Sequence, residues 1–172
     1  MGEPRLPSSA GTGPVAPDVL AELTQFVFEE ARLLDERCFE EWVGLFDADG
    51  VYWVPAEPGQ VSPDGSLSIF HETRPLLLLR ARRLAHPQTH VQTPASRTHH
   101  HVSNLTAQDL GGDECVLCSM LLVVEWRGGE QRLFSARCSY RLRRSAHGWR
   151  IASKRVDLLD CDAPHRAISV PF

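Results

Sequence analysis

The sequence of 172 residues lacks most of the short motifs that assign a function on their own. It has no glycine-rich phosphate loop, no Gly-x-Ser-x-Gly elbow and no Cys-x-His pair, which argues against nucleotide binding, serine hydrolysis and an iron–sulfur cluster in this chain. The longest apolar runs, Leu76–Leu79 and Met120–Val124, are far shorter than the ~20 residues that cross a bilayer. Lysine is scarce, since Lys154 is the only one among 18 basic residues. The net charge of −4 argues against a general nucleic-acid binder.

The first 17 residues are rich in proline and glycine and contain no apolar stretch of the kind found in signal peptides. We expect a flexible N-terminal arm over residues 1–17 and a single domain over residues 18–172. Five cysteines without an export signal are typical of reduced thiols. The sequence therefore predicts a cytoplasmic protein with no membrane segment.

Helical periodicity marks the first half of the chain. Residues 18–35 carry apolar side chains at helical spacing, and Asp18 is the expected N-cap. A short second helix is expected from Phe39 to Phe46, ended by the turn residues Asp47–Gly50. Residues 74–84 predict a third helix, with a proline in its first turn.

The last third of the chain has the period of two that is typical of strands. Residues 134–142 alternate between apolar and mostly basic or small side chains. The apolar run Glu114–Trp126 predicts a strand buried on both faces, joined to the next by a hairpin turn at Arg127–Glu130. A final strand over 149–160 changes parity near Ser153–Arg155, which indicates a bulge. Helices followed by long antiparallel strands predict an α+β fold, with the helices packed on one face of a strongly curved sheet that encloses a pocket.

The run His99–His101 is a candidate metal site, because alternate residues of a strand share a face. A catalytic zinc or iron site would need a third ligand, for which Asp35, His71, Glu72 and His90 are the candidates. The alternative is that these histidines lie at a strand end or in an interface without a metal.

Asp35, at the end of the first predicted helix, is a candidate acid–base residue. It could act with His71, His99 or His101 in the pocket, where Tyr52 is a further candidate, because a buried Asp–His couple can be tuned towards neutrality. The alternative is a structural carboxylate bonded to Arg32 or Arg37.

Arginines are concentrated on the predicted adjacent strands of the last third. Such a face is either solvated or a docking surface for an acidic subunit. The residues concerned are Arg132, Arg137, Arg141, Arg143, Arg144, Arg150 and Arg155.

Several ordered motifs resemble those of the small (β) subunits of aromatic-ring-hydroxylating dioxygenases. Residues 30–42 follow the pattern E-A-x-L-L-D-E-x-x-[YF]-x-x-W, and Tyr52–Pro55 follows Y-W-x-P. Ser96–Asn104 matches S-R-T-x-H-x-V-x-N, and Phe134–Arg137 and Gly148–Ala152 are similar to the family's last two strands. The resemblance covers about residues 18–162.

This resemblance implies a cone-shaped α+β roll of the cystatin-like or nuclear transport factor 2-like kind. It implies a non-catalytic subunit that supports a large (α) subunit, commonly as three copies of each, with the small subunits forming a trimer. The large subunit would carry the Rieske 2Fe-2S cluster and the mononuclear iron, and this chain would hold no cofactor. The expected subunit interface consists of Ser96, Arg97, Thr98, Arg137, Arg141 and Phe172, together with the rest of the segment Ala167–Phe172.

Two other functions remain open for such a fold, because one fold hosts many functions. One is a stand-alone dehydratase, isomerase or cyclase that uses Asp35 with one of the three histidines named above. The other is a ligand-binding domain without chemistry.

Overall fold

Helices and strands alternate early in the chain, and long strands follow. A computed structural model describes residues 13–85 and 93–172. The helices are α1 (Pro17–Asp35), α2 (Phe39–Gly44) and α3 (Arg74–Ala85). The strands are β1 (Gly13–Pro14), β2 (Phe46–Pro55), β3 (Ser68–Thr73), β4 (Arg97–Gly111), β5 (Glu114–Arg127), β6 (Glu130–Ser145) and β7 (Gly148–Leu158).

The strands of the described residues form one sheet in the order β1-β4-β5-β6-β7-β2-β3. Neighbours are antiparallel except β2 and β7, which run parallel. A two-residue turn joins β5 to β6, and Gly128 and Gly129 both have positive φ, as a tight hairpin of this hand requires. The predicted α+β fold with a mainly antiparallel sheet is therefore confirmed.

One face of the sheet is buried and the other is not. On β5, Leu117, Leu121 and Val123 are buried, while Met120 and Leu122 on the opposite parity are exposed. The buried side chains join the apolar stripe of α1 in a single core. The prediction that this strand is buried on both faces is therefore wrong, because the helices cover only one side of the sheet.

Three local predictions also need correction. Ala16 rather than Asp18 occupies the N-cap of α1, since Pro17 starts the helix and places Asp18 in its first turn. Phe46 belongs to β2 and not to the second helix, and the segment 47–50 extends that strand. The bulge of β7 lies at Ala152, because Leu142 and Arg141 pair with Ile151 and Ser153.

The predicted arm is described only in part. Residues 1–12 lie outside the described residues, and Gly13–Pro14 pairs with Gln108 and Asp109 of β4. In the part of the chain that the structure describes, no helix is both long and apolar enough to cross a membrane.

A buried ion pair lies in the core. Lys154 of β7 and Glu30 of α1 are each 2% exposed, and Nζ lies 2.7 Å from Glu30 Oε1. The same carboxylate accepts the indole N–H of Trp42 at 3.0 Å and the hydroxyl of Tyr140 at 2.8 Å. Burial raises the pKa of Tyr140 well above its ordinary value, so this hydroxyl stays a donor. The cluster joins α1, α2, β6 and β7 at the centre of the fold.

We expect Lys154→Met to lower the free energy of unfolding by about 3–5 kcal/mol, because it leaves the Glu30 carboxylate buried without its cation. Urea unfolding followed by circular dichroism measures the change. A matched control is Arg166→Met, which breaks the exposed pair with Glu130 and should leave stability almost unchanged. A loss no larger than that of the control would contradict a structural role for the buried pair.

Candidate functional site

A partly buried polar cluster is formed where the end of α1 meets the first part of β4, which has no strand on its outer side because β1 pairs only with Gln108 and Asp109. Asp35 ends α1, and its Oδ1 accepts the Thr98 hydroxyl at 2.9 Å and lies 2.6 Å from His100 Nδ1. Its Oδ2 accepts the backbone N–H of His100 at 3.0 Å. The carboxylate therefore takes the place of a neighbouring strand at this point of the sheet edge.

Asp35 is held in its charged form. Partial burial acts to raise the pKa of this carboxyl, but the hydrogen bonds from His100 and Thr98 and the charge of the imidazole outweigh it and keep the pKa below its usual range. The two arginines considered above as partners of Asp35 bond to other groups. Arg32 pairs with Glu29 and Glu36, and Arg37 donates to the main-chain oxygens of Ser96 and Leu84.

The partner of Asp35 is His100, which was not among the histidines expected to act with it. The His100 side chain is 2% exposed, and its Nε2 lies 3.2 Å from the carbonyl oxygen of Pro171. A carbonyl oxygen and an ionised carboxylate can only accept hydrogen bonds, so each ring nitrogen of His100 faces an acceptor. The ring thus connects α1 to the segment Ala167–Phe172, which we term the tail.

The end of the tail lies inside the cone. Phe172 is fully buried, and its ring packs edge-on against Phe134 at 5.2 Å between centroids. Its backbone N–H donates to the Tyr52 hydroxyl at 3.1 Å, and its main-chain oxygen accepts from Lys154 Nζ at 2.6 Å. The tail leaves a cavity of only about 10 Å³ beside His100, which is room for one water molecule at most.

An open groove of about 530 Å³ runs outside this cluster, between α1 and β4. Asp35, His99 and His101 line it together with Phe28 and Arg32. The structure therefore brings together three of the predicted site residues, and the rings of His99 and His101 lie 6.3 Å apart. The carboxylate is nevertheless bonded to His100, whose ring points to the buried side of the strand.

The remaining candidates lie elsewhere. His71 is exposed on β3, at the other end of the strand order from β4. Tyr52 is buried in the core, and Glu72 forms an ion pair with Arg80. His90 lies outside the described residues. Within residues 13–85 and 93–172, no group of three His, Cys, Asp or Glu side chains is placed to hold a metal ion.

The predicted interface residues divide into two sets. Ser96 and Phe172 are buried, and Thr98 is half-buried, so these three contact residues of their own chain. The Ser96 hydroxyl donates to the buried Glu125 at 2.5 Å. The other three, Arg97, Arg137 and Arg141, are exposed.

The exposed face of β5 is apolar from Met120 to Trp126 and continues onto Leu133 of β6, and we term this surface the outer patch. Met120, Leu122, Trp126 and Leu133 are 40–58% exposed on it, and the partly buried Val124 lies between them. The pairing of β5 with β6 places Val124 opposite Leu133, so the patch is continuous across two strands. Exposed patches of this kind mark surfaces that bind another molecule.

Arginines frame the outer patch. Arg97 lies opposite Trp126, and Arg137 lies opposite Met120. Arg141 is paired with Glu114 at 2.5 Å, and Arg143 contacts Glu114 and two aspartates. Among the described residues, neither Arg97 nor Arg137 forms an ion pair, whereas Arg141 and Arg143 do.

Comparisons with known proteins agree with this architecture. A family model described as "Ring hydroxylating beta subunit" matches residues 29–163. The small oxygenase component of the p-cumate 2,3-dioxygenase system of Pseudomonas putida is 32% identical over 87% of this chain and 85% of its own length.

Solved structures show the same fold. The beta subunit of the benzoate 1,2-dioxygenase from Burkholderia mallei ATCC 23344 superposes with a TM-score of 0.70 and 24% identity, over 81% of this chain and 89% of that one. An NTF2-like protein with a cystatin-like fold from Novosphingobium aromaticivorans gives a TM-score of 0.60 and 20% identity, over 81% of each chain. The cone-shaped fold implied by the sequence motifs is therefore confirmed. With the family model covering most of the described chain, the protein belongs to the ring-hydroxylating beta subunit family.

Proposed function

We propose that this chain is the structural subunit of a multicomponent aromatic-ring-hydroxylating dioxygenase, and that it assembles with a large catalytic subunit as three copies of each. In this proposal the large subunit carries the Rieske 2Fe-2S cluster and the mononuclear iron, and this chain supports it in the cytoplasm. Membership of the beta subunit family supports the role. The observation that supports this role most strongly is the outer patch, because no part of the described chain covers this exposed apolar surface.

The chemistry of the outer patch fits a protein interface better than a small-molecule site. The outer patch lies on the exposed face of two neighbouring strands, and none of its residues lines either of the two cavities described above, whereas small ligands bind in concave pockets. Apolar side chains at its centre and arginines at its edge are the composition of subunit interfaces. In a ring of three subunits, one such surface meets a different surface of the next copy.

The buried members of the predicted interface have an indirect part in this proposal. Ser96 and Thr98 flank Arg97, and each is fixed by a carboxylate of its own chain, Glu125 or Asp35. Arg132 holds Glu125 in turn, at 2.6 Å. These bonds set the position of the Arg97 backbone and so keep its side chain beside the outer patch.

A second candidate function, a stand-alone acid–base enzyme, is favoured by one observation, the groove that Asp35 lines with His99 and His101. The hydrogen bonds of Asp35 weigh against it, because a carboxylate that accepts three donors and has a lowered pKa is a weak base. His100 is equally unsuited, since both of its ring nitrogens are engaged.

We expect Leu122→Glu to disrupt the assembly, because it places a charge at the centre of the outer patch while leaving the core untouched. The variant should fold normally but be lost from the complex when it is coexpressed with a tagged large subunit. The control is Val61→Glu, on a loop side chain that is 93% exposed, which should copurify like the wild type. Equal recovery of both variants would contradict the proposed interface.

We expect Asp35→Asn to lower the free energy of unfolding by about 1–3 kcal/mol at pH 7, because it weakens hydrogen bonds to a charged group. The folded-state pKa of Asp35 lies below the unfolded value, so the ionised form favours folding. Its contribution is complete above the unfolded pKa of about 4 and is lost as the pH falls through the folded value. The stability difference between variant and wild type should therefore shrink in acid.

The same variant separates the two candidate functions. If the chain is a structural subunit, the assembled Asp35→Asn complex keeps the wild-type turnover of its aromatic substrate per large subunit. If this chain by itself turns over a ligand of the groove and Asp35→Asn abolishes that turnover, the acid–base enzyme is the correct function.

A further inference from the structure

The tail is held as a bound ligand is held. Each hydrogen bond that the described residues make with the main chain of Pro171 or Phe172 involves a side chain, namely that of His100, Tyr52 or Lys154, and the Tyr52 hydroxyl is the acceptor in its bond. These three side chains belong to β4, β2 and β7, which surround the interior of the cone. The end of the tail is therefore held by side chains of three strands and is not itself a further strand of the sheet.

One side of the site in which the end of the tail lies is lined by the polar groups of Lys154 and Tyr52, which hydrogen-bond to whatever occupies it. The ammonium group of Lys154 has three protons, of which one is directed to Glu30 and another to the main-chain oxygen of Phe172. Without that oxygen, a fully buried N–H would lose its acceptor. Burial raises the pKa of Tyr52 well above its ordinary value. Its hydroxyl therefore stays neutral, and because it accepts the Phe172 N–H it retains a proton to donate.

The wall of the site is aromatic. The Phe172 ring is fully buried, packs edge-on against Phe134, and belongs to the same core as Tyr52 and Tyr140. An occupant that satisfies both parts of the site has an aromatic ring and, four bonds from the ring as in Phe172, an oxygen that accepts hydrogen bonds.

We propose that the interior of the cone is a binding site for aromatic carboxylates and that Phe172 is its tethered occupant. The cavity beside the tail has room for no more than one water molecule, so a free ligand binds only when Phe172 has left. The proposal concerns the interior only and does not depend on the outer patch or on the assembly.

The test uses 3-phenylpropionate, which has the carbon skeleton of phenylalanine without the amino group. Calorimetric titration compares the full chain with a variant that ends after Pro171. We expect one molecule to bind to the shortened chain and none to bind to the full chain at the same concentrations. Two matched probes are propionate, which lacks the ring, and 3-phenylpropylammonium, which brings a positive charge to Lys154. Both should bind at least about tenfold more weakly, propionate because it does not bury an aromatic ring and 3-phenylpropylammonium because it loses a charged hydrogen bond.

The proposal is overturned if the shortened chain is folded by near-ultraviolet circular dichroism and binds 3-phenylpropionate no more tightly than the two control probes. If the shortened chain does not fold, the Phe172→Ala variant of the full chain is tested in its place. This variant keeps the main chain of the tail and empties only the space of the ring, which remains apolar. Toluene should then raise its melting temperature and leave that of the wild type unchanged, and no rise in the variant would overturn the aromatic site.

Discussion

The buried pair of Glu30 and Lys154 is the interaction on which the rest of the fold depends. A buried charge is costly unless it is paired and hydrogen-bonded. Here the hydrogen bonds to the two charged groups come from several elements of the fold. Glu30 receives donors from α2, β6 and β7, and Lys154 also donates to the tail. These directed bonds determine where α1 lies across the sheet, which apolar contacts alone would leave less defined.

The position of α1 then determines how the sheet edge at β4 is closed and which face of the sheet is covered. Asp35 at its end reaches β4, closes the sheet edge at His100, and through that ring contacts the tail. Because the helices and the tail cover the inner face of the sheet, the apolar side chains of the other face have no cover in this chain. The outer patch is thus a consequence of the architecture, and a partner subunit is the cover that the family membership suggests.

Periodicity was sufficient to predict most of the fold, because burial on one face imposes it on the sequence. The helical spacing predicted the bounds of α1 to within one residue, and the alternation over 134–142 located β6, which extends beyond that segment at both ends. The site was harder to predict, because strand alternation indicates which histidines share a face but not which face meets the end of α1. It placed His99 and His101 together correctly, yet the inward residue His100 is the one that binds Asp35. No local pattern predicted the role of Phe172, because the composition of Val170–Phe172 is equally typical of a buried strand end and of an exposed interface. Lys154 had a signal in retrospect, as the only lysine in an arginine-rich chain.

We propose that this chain functions by binding other subunits through the outer face of its sheet. Native mass spectrometry of the wild-type chain, coexpressed with a large dioxygenase subunit, distinguishes a structural subunit from a stand-alone protein. We expect a single complex with equal numbers of the two chains, three of each. Detection of this chain at its own mass of 19.2 kDa alone, in the presence of the large subunit, would rule out this function.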